Sequence, residues 1–261
     1  MHPVILQLGA FKLPAYGLMV ALGYLAAIYY ILSRSSRFNF KKDDLSDLVF
    51  YSVLSGMAGA KAFYAATYWD TFGADFSSRA AYVLRTFQYG FVFYGGLLTG
   101  AAVFYLTARR RKLNAAAAAD LCAPALALGH AFGRVGCFLA GCCHGAPAGN
   151  FPFSVVFSNP ACEVAPALLG VPLYPTQLLE AAGNLAIFAV LSFTLGRKRP
   201  AGSVIALYAA LYSVQRFFIE FLRGDDRGAL HFGLSPAQLI SAAAFAAAIM
   251  VFFKLTLKAK K

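Results

Sequence analysis

The stretch PAYGLMVALGYLAAIYYIL, residues 14–32, carries no charged side chain and is followed by Arg34 and Arg37. At about 1.5 Å per residue, about 20 apolar residues in a helix cross the hydrocarbon core of a bilayer. Working outward, six more segments have this character: 45–68, 89–108, 113–140, 175–195, 202–222 and 236–257. The fourth is long and contains Pro124, which predicts a kink or an extension beyond the lipid. Residues 1–13 lack a basic stretch ahead of the apolar run, so the first segment reads as a span and not as a signal peptide. The expected fold class is an all-α polytopic membrane protein with seven transmembrane helices, residues 1–261 forming one membrane domain.

Composition agrees. Of 261 residues, 60% are hydrophobic and 13% charged, whereas a soluble domain runs near ~45–50% and ~25%. With a mean hydropathy of +0.63, this excludes a disordered chain and argues against an ordinary cytosolic enzyme. Five cysteines are too few for a disulfide scaffold in a chain this long.

The net charge of +12 raises nucleic acid as a partner, but its distribution answers the question. Arg34, Arg37, Lys41 and Lys42 follow the first span, and Arg109, Arg110, Arg111 and Lys112 follow the third. Arg197, Lys198 and Arg199 follow the fifth, and Lys254, Lys258, Lys260 and Lys261 end the chain. The opposite side holds Lys12, Arg79, Arg85, Arg223 and Arg227. The positive-inside rule therefore predicts an outside N-terminus and a cytoplasmic C-terminus, with no nucleic-acid role for the charge. The longest outside segment, 141–174, has no Lys or Arg and five prolines, and alternates at 151–157. It reads as a small extracytoplasmic cap with a hairpin.

Three basic residues remain inside spans: Lys61, Arg134 and Arg216. Each costs roughly 2.5–3.5 kcal/mol at a helix centre, so each calls for a partner or a function. Counted from the outer ends of their spans, all three sit about 9–10 Å deep. Glu220 is one turn beyond Arg216 on the same face, and Glu180 is five residues into the fifth span. Three cations against two carboxylates leave room for an anion, and phospholipid phosphate is the abundant one in a membrane. Arginine suits it through its planar fork. Tyr16 and Tyr94 read as interface tyrosines. Gly95 and Gly96, after Tyr94, permit close approach by a ligand or another backbone. Ser55 and Gly59 read as a small-residue packing contact. His130, four residues before Arg134 and about 15 Å deep, is either a packed neutral group or a proton carrier.

Cys137, Cys142, Cys143 and His144 form a distinctive group with open chemistry. There is no Cys-x-x-Cys, and adjacent cysteines rarely face one tetrahedral ion, so no metal is expected. Reduced packing residues, a disulfide involving Cys162, a catalytic thiol and, despite the poor spacing, a metal site remain as readings.

These residues resemble the prolipoprotein diacylglyceryl transferase family. Tyr16-Gly17-Leu18 is similar to its first-span motif, and Gly59-Ala60-Lys61 to a Gly-Ala-Arg segment with Lys for Arg. Tyr94-Gly95-Gly96-Leu97 resembles its His-Gly-Gly-Leu motif. Residues 174–180, YPTQLLE, resemble a His-Pro-Ser-Gln-Leu-Tyr-Glu stretch, and residues 216–223, RFFIEFLR, the sixth-span signature. The family signature Gly-Arg-x-Gly-Asn-Phe-x-Asn-x-Glu-x-x-Gly is matched by residues 133–145, GRVGCFLAGCCHG. Gly133, Arg134, Gly136 and Phe138 are kept there, but Cys137, Ala140 and Cys142 replace Asn, Asn and Glu.

The resemblance implies a multi-pass enzyme of the bacterial inner membrane. It would move the diacylglyceryl group of phosphatidylglycerol to the thiol of a lipobox cysteine in a prolipoprotein, with no cofactor. It also places Arg134, Arg216, Glu220, His130 and Tyr94 in catalysis. Arg134 and Arg216 would stabilise the departing phosphate, Glu220 would orient Arg216, and His130 or Tyr94 would serve as base. Tyr16, Lys61, Gly95, Gly96, Gly133, Gly136, Gln177, Glu180 and Arg223 would contact substrate. The lost Asn and Glu positions keep two alternatives open: a phospholipid-dependent transferase with another acceptor, or a lipid-binding or thiol-redox membrane protein.

Overall fold

The structure, a computed structural model, describes residues 1–9, 11–86, 90–225 and 233–258. Tyr89 at the start of the third predicted span, and Arg227, Lys260 and Lys261 of the charge pattern, lie outside the described residues. The elements in chain order are β1 (Val4–Leu8), β2 (Phe11–Pro14), α1 (Ala15–Arg34), α2 (Lys42–Thr67), α3 (Phe76–Arg85), α4 (Phe93–Arg110) and α5 (Ala115–Ala140). There follow β3 (Val155–Val156), β4 (Pro172–Leu173), α6 (Thr176–Leu195), α7 (Ser203–Ile219) and α8 (Pro236–Lys258). Among the described residues, six helices are long and apolar enough to cross a membrane, beginning at Ala15, Lys42, Ala115, Thr176, Ser203 and Pro236. The third predicted segment forms α4, of 18 residues, which ends on Arg109 and Arg110 and is not among the six.

Two compact units result. Residues 32–118 form the smaller, in which α2 packs along α4. Small residues line that contact. A Cβ on Gly96 would lie 3.0 Å from the Gly56 carbonyl oxygen, and one on Gly100 3.2 Å from that of Ser52. Thr99 donates its hydroxyl to the Gly95 carbonyl at 2.8 Å and to the Ser55 carbonyl at 3.1 Å. The backbones thus meet where the sequence offers Ser55 and Gly59, as in small-residue membrane helix contacts. Gly96→Val is expected to overpack this seam, lowering stability by about 1–3 kcal/mol, read as a lower melting temperature in detergent. An unchanged melting temperature with weakened lipid binding would instead make Gly96 a substrate contact and not a packing one.

The larger unit comprises residues 1–31 and 119–261. β1 and β2 form an antiparallel hairpin, and the Ala15 amide at the start of α1 donates to the Pro3 carbonyl at 2.8 Å. α1 meets α6 where Tyr30 hydroxyl and Ser192 hydroxyl lie 2.9 Å apart. α5 runs unbroken through the buried Pro124. Near its start, the buried Asp120 accepts amide hydrogens from Gly202 at 2.7 Å, Val204 at 2.9 Å and Ile205 at 2.8 Å. It thereby caps α7, whose first amides have no intrahelical acceptor. Asp120→Ala should cost about 2–3 kcal/mol, because it strands these donors. A thermal melt matching the parent protein would refute that capping role.

The segment between α5 and α6 is where the expected hairpin falls. β3 pairs antiparallel with β4, Val155 opposite Leu173, over a small core of Phe157, Cys162, Val164 and Leu173. Its first residues are clamped on two sides. Ala146 amide donates to the Leu222 carbonyl at 2.9 Å, Gly224 amide to the His144 carbonyl at 3.1 Å, and Tyr174 amide to the Ala146 carbonyl at 3.0 Å. This pins the cysteine-bearing loop between the entrance to α6 and the exit of α7.

Candidate active site

Within the larger unit, α5, α6 and α7 bring their charges to one carboxylate. Glu180, with a side chain only 2% exposed, receives Arg134 Nε on Oε2 at 2.5 Å. Its Oε1 faces Arg216 Nη1 at 3.6 Å and Arg223 Nη1 at 3.7 Å. Arg216 Nη2 is 2.8 Å from Glu220 Oε2, the i, i+4 pair expected from sequence, and Ser235 hydroxyl donates to Glu220 Oε1 at 2.8 Å. Arg223 also pairs with Asp225. Burial opposes the charge on Arg223, but Asp225 and Cys143 raise its pKa beyond the ordinary guanidinium value.

The backbone around Glu180 is equally fixed. Its carbonyl accepts from Asn184 Nδ2 at 2.8 Å and Gln215 Nε2 at 3.0 Å. Arg216 Nη1 is buried with no hydrogen-bond partner among the described residues. That N–H keeps only the longer ionic contact to Glu180, which leaves a donor for a further acceptor. Arg134 and Arg216 side chains retain 15% and 19% exposure, so neither is fully enclosed. A Cβ on Gly133, next to Arg134, would meet nothing within 4 Å among the described residues, and one on Gly136 would lie 3.3 Å from Tyr16 Cα. Gly133 thus borders open space, while Gly136 lets α1 approach. Beside Arg216, Val214, Phe217 and Phe218 help line an apolar cleft of about 200 Å³ shared with α8.

His130 sits one turn before Arg134. Its Nδ1 is 3.4 Å from the Tyr208 hydroxyl, and its ring stacks on Tyr212 at 5.1 Å. Sequence reasoning did not single out Tyr208 and Tyr212. Their i, i+4 spacing on the face that carries Arg216 another turn on was the available signal. Asn184, four residues after Glu180, was missed likewise.

The signature cysteines come together. The Sγ atoms of Cys137, Cys142 and Cys143 all lie within 4.8 Å of one another, and all three thiols are free. Cys162, the partner considered for a disulfide, is also free and packs against Gly141 instead. Gln177 Nε2 donates to the Cys142 carbonyl at 2.8 Å and Thr176 hydroxyl to the Cys143 carbonyl at 3.0 Å. Gln177 therefore positions this loop. Hydrogen bonds from the Cys137 and Cys142 thiols, with Arg223 and Arg134 nearby, hold the Cys143 thiol well below the ordinary thiol range. Hydrogen bonding with Cys137 and Cys143, together with burial, pushes the Cys142 thiol up. His144 turns Nδ1 to the Gly145 carbonyl at 3.0 Å, outside the trio.

Four predicted residues belong to the smaller unit. Lys61 donates to the Thr86 carbonyl at 2.7 Å and lies 5.2 Å from the Tyr64 ring centroid and 5.6 Å from that of Phe91. Gly95 and Gly96 receive the α2 backbone, and Tyr94 is 47% exposed.

A buried carboxylate holding three arginines, among helices long and apolar enough to cross a membrane, fits a multi-pass membrane protein. Comparison with known proteins carries this further. The family model for prolipoprotein diacylglyceryl transferase matches residues 3–254. The chain is similar to phosphatidylglycerol-prolipoprotein diacylglyceryl transferase 2 of Clostridium perfringens, 36% identical over 261 residues, covering 100% of this chain and 98% of that protein. It is similar also to the phosphatidylglycerol-prolipoprotein diacylglyceryl transferases of Clostridium tetani, at 33% over 97% of both chains, and Geobacter sulfurreducens, at 32% over 92% of this chain and 89% of the relative. The chain belongs to the prolipoprotein diacylglyceryl transferase family.

Proposed function

We infer that this chain is a multi-pass membrane enzyme that transfers the diacylglyceryl group of phosphatidylglycerol to a lipobox cysteine thiol of a prolipoprotein. The observation that carries the reading is the Arg134–Glu180–Arg216 cluster, whose two arginine side chains stay partly exposed and in which Arg216 Nη1 has no hydrogen-bond partner among the described residues. A phosphodiester is the membrane component that fits such donors. Arg134 and Arg216 bind the donor phosphate, Glu220 holds Arg216 in line, and Arg223 guides the head group. The apolar cleft beside Arg216 suits an acyl chain. The acceptor sulfur, as thiolate, attacks the glyceryl carbon next to the phosphate. The C–S bond forms, the C–O bond breaks, and glycerol phosphate leaves with its charge stabilised by the arginines. His130 takes the thiol proton.

In this reading α4 completes seven spans, with an outside N-terminus and a cytoplasmic C-terminus in the bacterial inner membrane. Residues 141–174 form the extracytoplasmic cap. Tyr16 and Gly133, both in the larger unit, contact substrate.

The test is transfer from labelled phosphatidylglycerol to a lipobox peptide by the purified full-length chain in detergent. Label is expected on the cysteine peptide and not on its serine counterpart. Phosphatidylglycerol binding without thiol-dependent label would overturn the reading in favour of a transferase with another acceptor, a possibility that the cysteine-rich signature motivates.

A further inference from the structure

The cysteine trio is left over once the arginines are assigned to phosphate. Adjacent cysteines ordinarily point apart, yet here the backbone doubles back. Gly141 takes φ +85° directly after α5 and Cys143 takes φ +57°, a left-handed conformation uncommon for a residue with a Cβ. The result is three sulfurs within 4.8 Å of one another, one on the last turn of α5 and two on the loop. Hydrogen bonds from the fully buried Gln177 and Thr176 hold the carbonyls of Cys142 and Cys143 in that arrangement. At zinc–sulfur bonds near 2.3 Å, sulfurs in a tetrahedral site lie about 3.8 Å apart, so the trio needs to close by about 1 Å at most.

We propose that Cys137, Cys142 and Cys143 form a three-thiolate site for a soft divalent ion of the zinc class, whose fourth position takes the acceptor cysteine as its thiolate. The inference rests on the transferase reading and adds to it the means of activating the acceptor. Three protein ligands with one open position are the arrangement of catalytic zinc sites, in contrast to closed structural ones. A coordinating thiol is deprotonated outright, and its proton passes to the base of that reading. The sulfur then attacks the glyceryl carbon, the C–O bond to phosphate breaks, and the thioether product, a weaker ligand than a thiolate, is released. Three thiolates and a divalent ion carry a net charge of −1.

The test uses the reduced, chelator-dialysed full-length chain in detergent, titrated with Zn²⁺ and separately with Co²⁺. Expected are about one ion per chain, thiolate-to-cobalt charge transfer, and d–d bands of a tetrahedral site that the cysteine peptide perturbs and the serine peptide does not. Cys137→Ser and Cys142→Ser should each weaken Co²⁺ binding more than about 100-fold, beyond what loss of an outer partner costs. Their metal-free melting temperatures should match the parent's, separating ligand loss from misfolding. Chelation should lower transfer by about 10²-fold or more, the size of an acid–base contribution, and Zn²⁺ should restore it. Arg134→Ala should keep the cobalt spectrum. Absence of stoichiometric binding, or full transfer by the metal-free chain, would overturn the metal site and leave the transferase reading standing. A cobalt site that responds to the cysteine peptide, in a chain that moves no lipid, would support the site and overturn the transferase reading.

Discussion

Arg134→Ala is expected to lower thiol-dependent transfer by about 10²–10³-fold, the usual effect of removing one donor aimed at developing negative charge. Stability should fall far less. With Arg134 gone, Glu180 still faces Arg216 at 3.6 Å and Arg223 at 3.7 Å, so the buried carboxylate keeps cationic partners. The alanine leaves room where Gly133 already borders open space. Arg134→Lys keeps the charge but not the fork. It should recover part of the activity, because an ammonium meets phosphate oxygens as a point charge and not bidentately. Initial rates with labelled phosphatidylglycerol, alongside thermal melts of the same preparations, separate the two effects. If the alanine variant transfers lipid normally, Arg134 is a structural ion-pair partner and the phosphate has another cradle.

Charge inside apolar runs was the most legible signal in the sequence. Depth counting put Arg134 and Arg216 at one level and Glu180 near it, and the structure joins all three. The same count put Lys61 at that level, and within the smaller unit Lys61 meets the Thr86 carbonyl and the Tyr64 and Phe91 rings. Depth fixes a level in the membrane but not an azimuth, and partner choice depends on azimuth. Neutral polar groups were harder to see. Asn184, Gln215 and Tyr212 have no insertion cost large enough to stand out from ordinary span residues, yet they orient Glu180 and flank His130. Asp120 was silent for another reason: its three amide partners lie more than 80 residues downstream.

The cysteines reveal the limit of spacing rules. Adjacency argued against convergence, because neighbours in extended or helical backbone diverge. Gly141 and Cys143 are in neither conformation, and the left-handed φ at Cys143 has no mark in the sequence. The span count depended on a different margin. The stretch that became α4 has the length of a span, but its two terminal arginines and its seam of small residues against α2 dilute its apolar character. Packing against a neighbour thus competes with hydropathy for the same positions, and the first of these is invisible to a composition window.

Glu180→Ala should have the opposite balance to Arg134→Ala and the largest effect on stability of any single change here. The carboxylate is the only anion shared by Arg134, Arg216 and Arg223 among the described residues, and it is 2% exposed. Removing one partner of a buried ionic group costs about 3–5 kcal/mol, because the opposite charge stays desolvated without compensation. Arg216 and Arg223 keep Glu220 and Asp225. Arg134 has no other ion pair among the described residues, so the stranded charge is chiefly its own. Glu180→Gln retains an oxygen acceptor of similar shape and should lose less. The decisive comparison is a double-mutant cycle: in an Arg134→Ala background, Glu180→Ala should cost clearly less than in the parent, since the orphaned guanidinium is absent. Melting temperatures of the four proteins in one detergent give the coupling directly. Equal losses in both backgrounds would mean that Glu180 stabilises the bundle through packing, with no energetic link to Arg134.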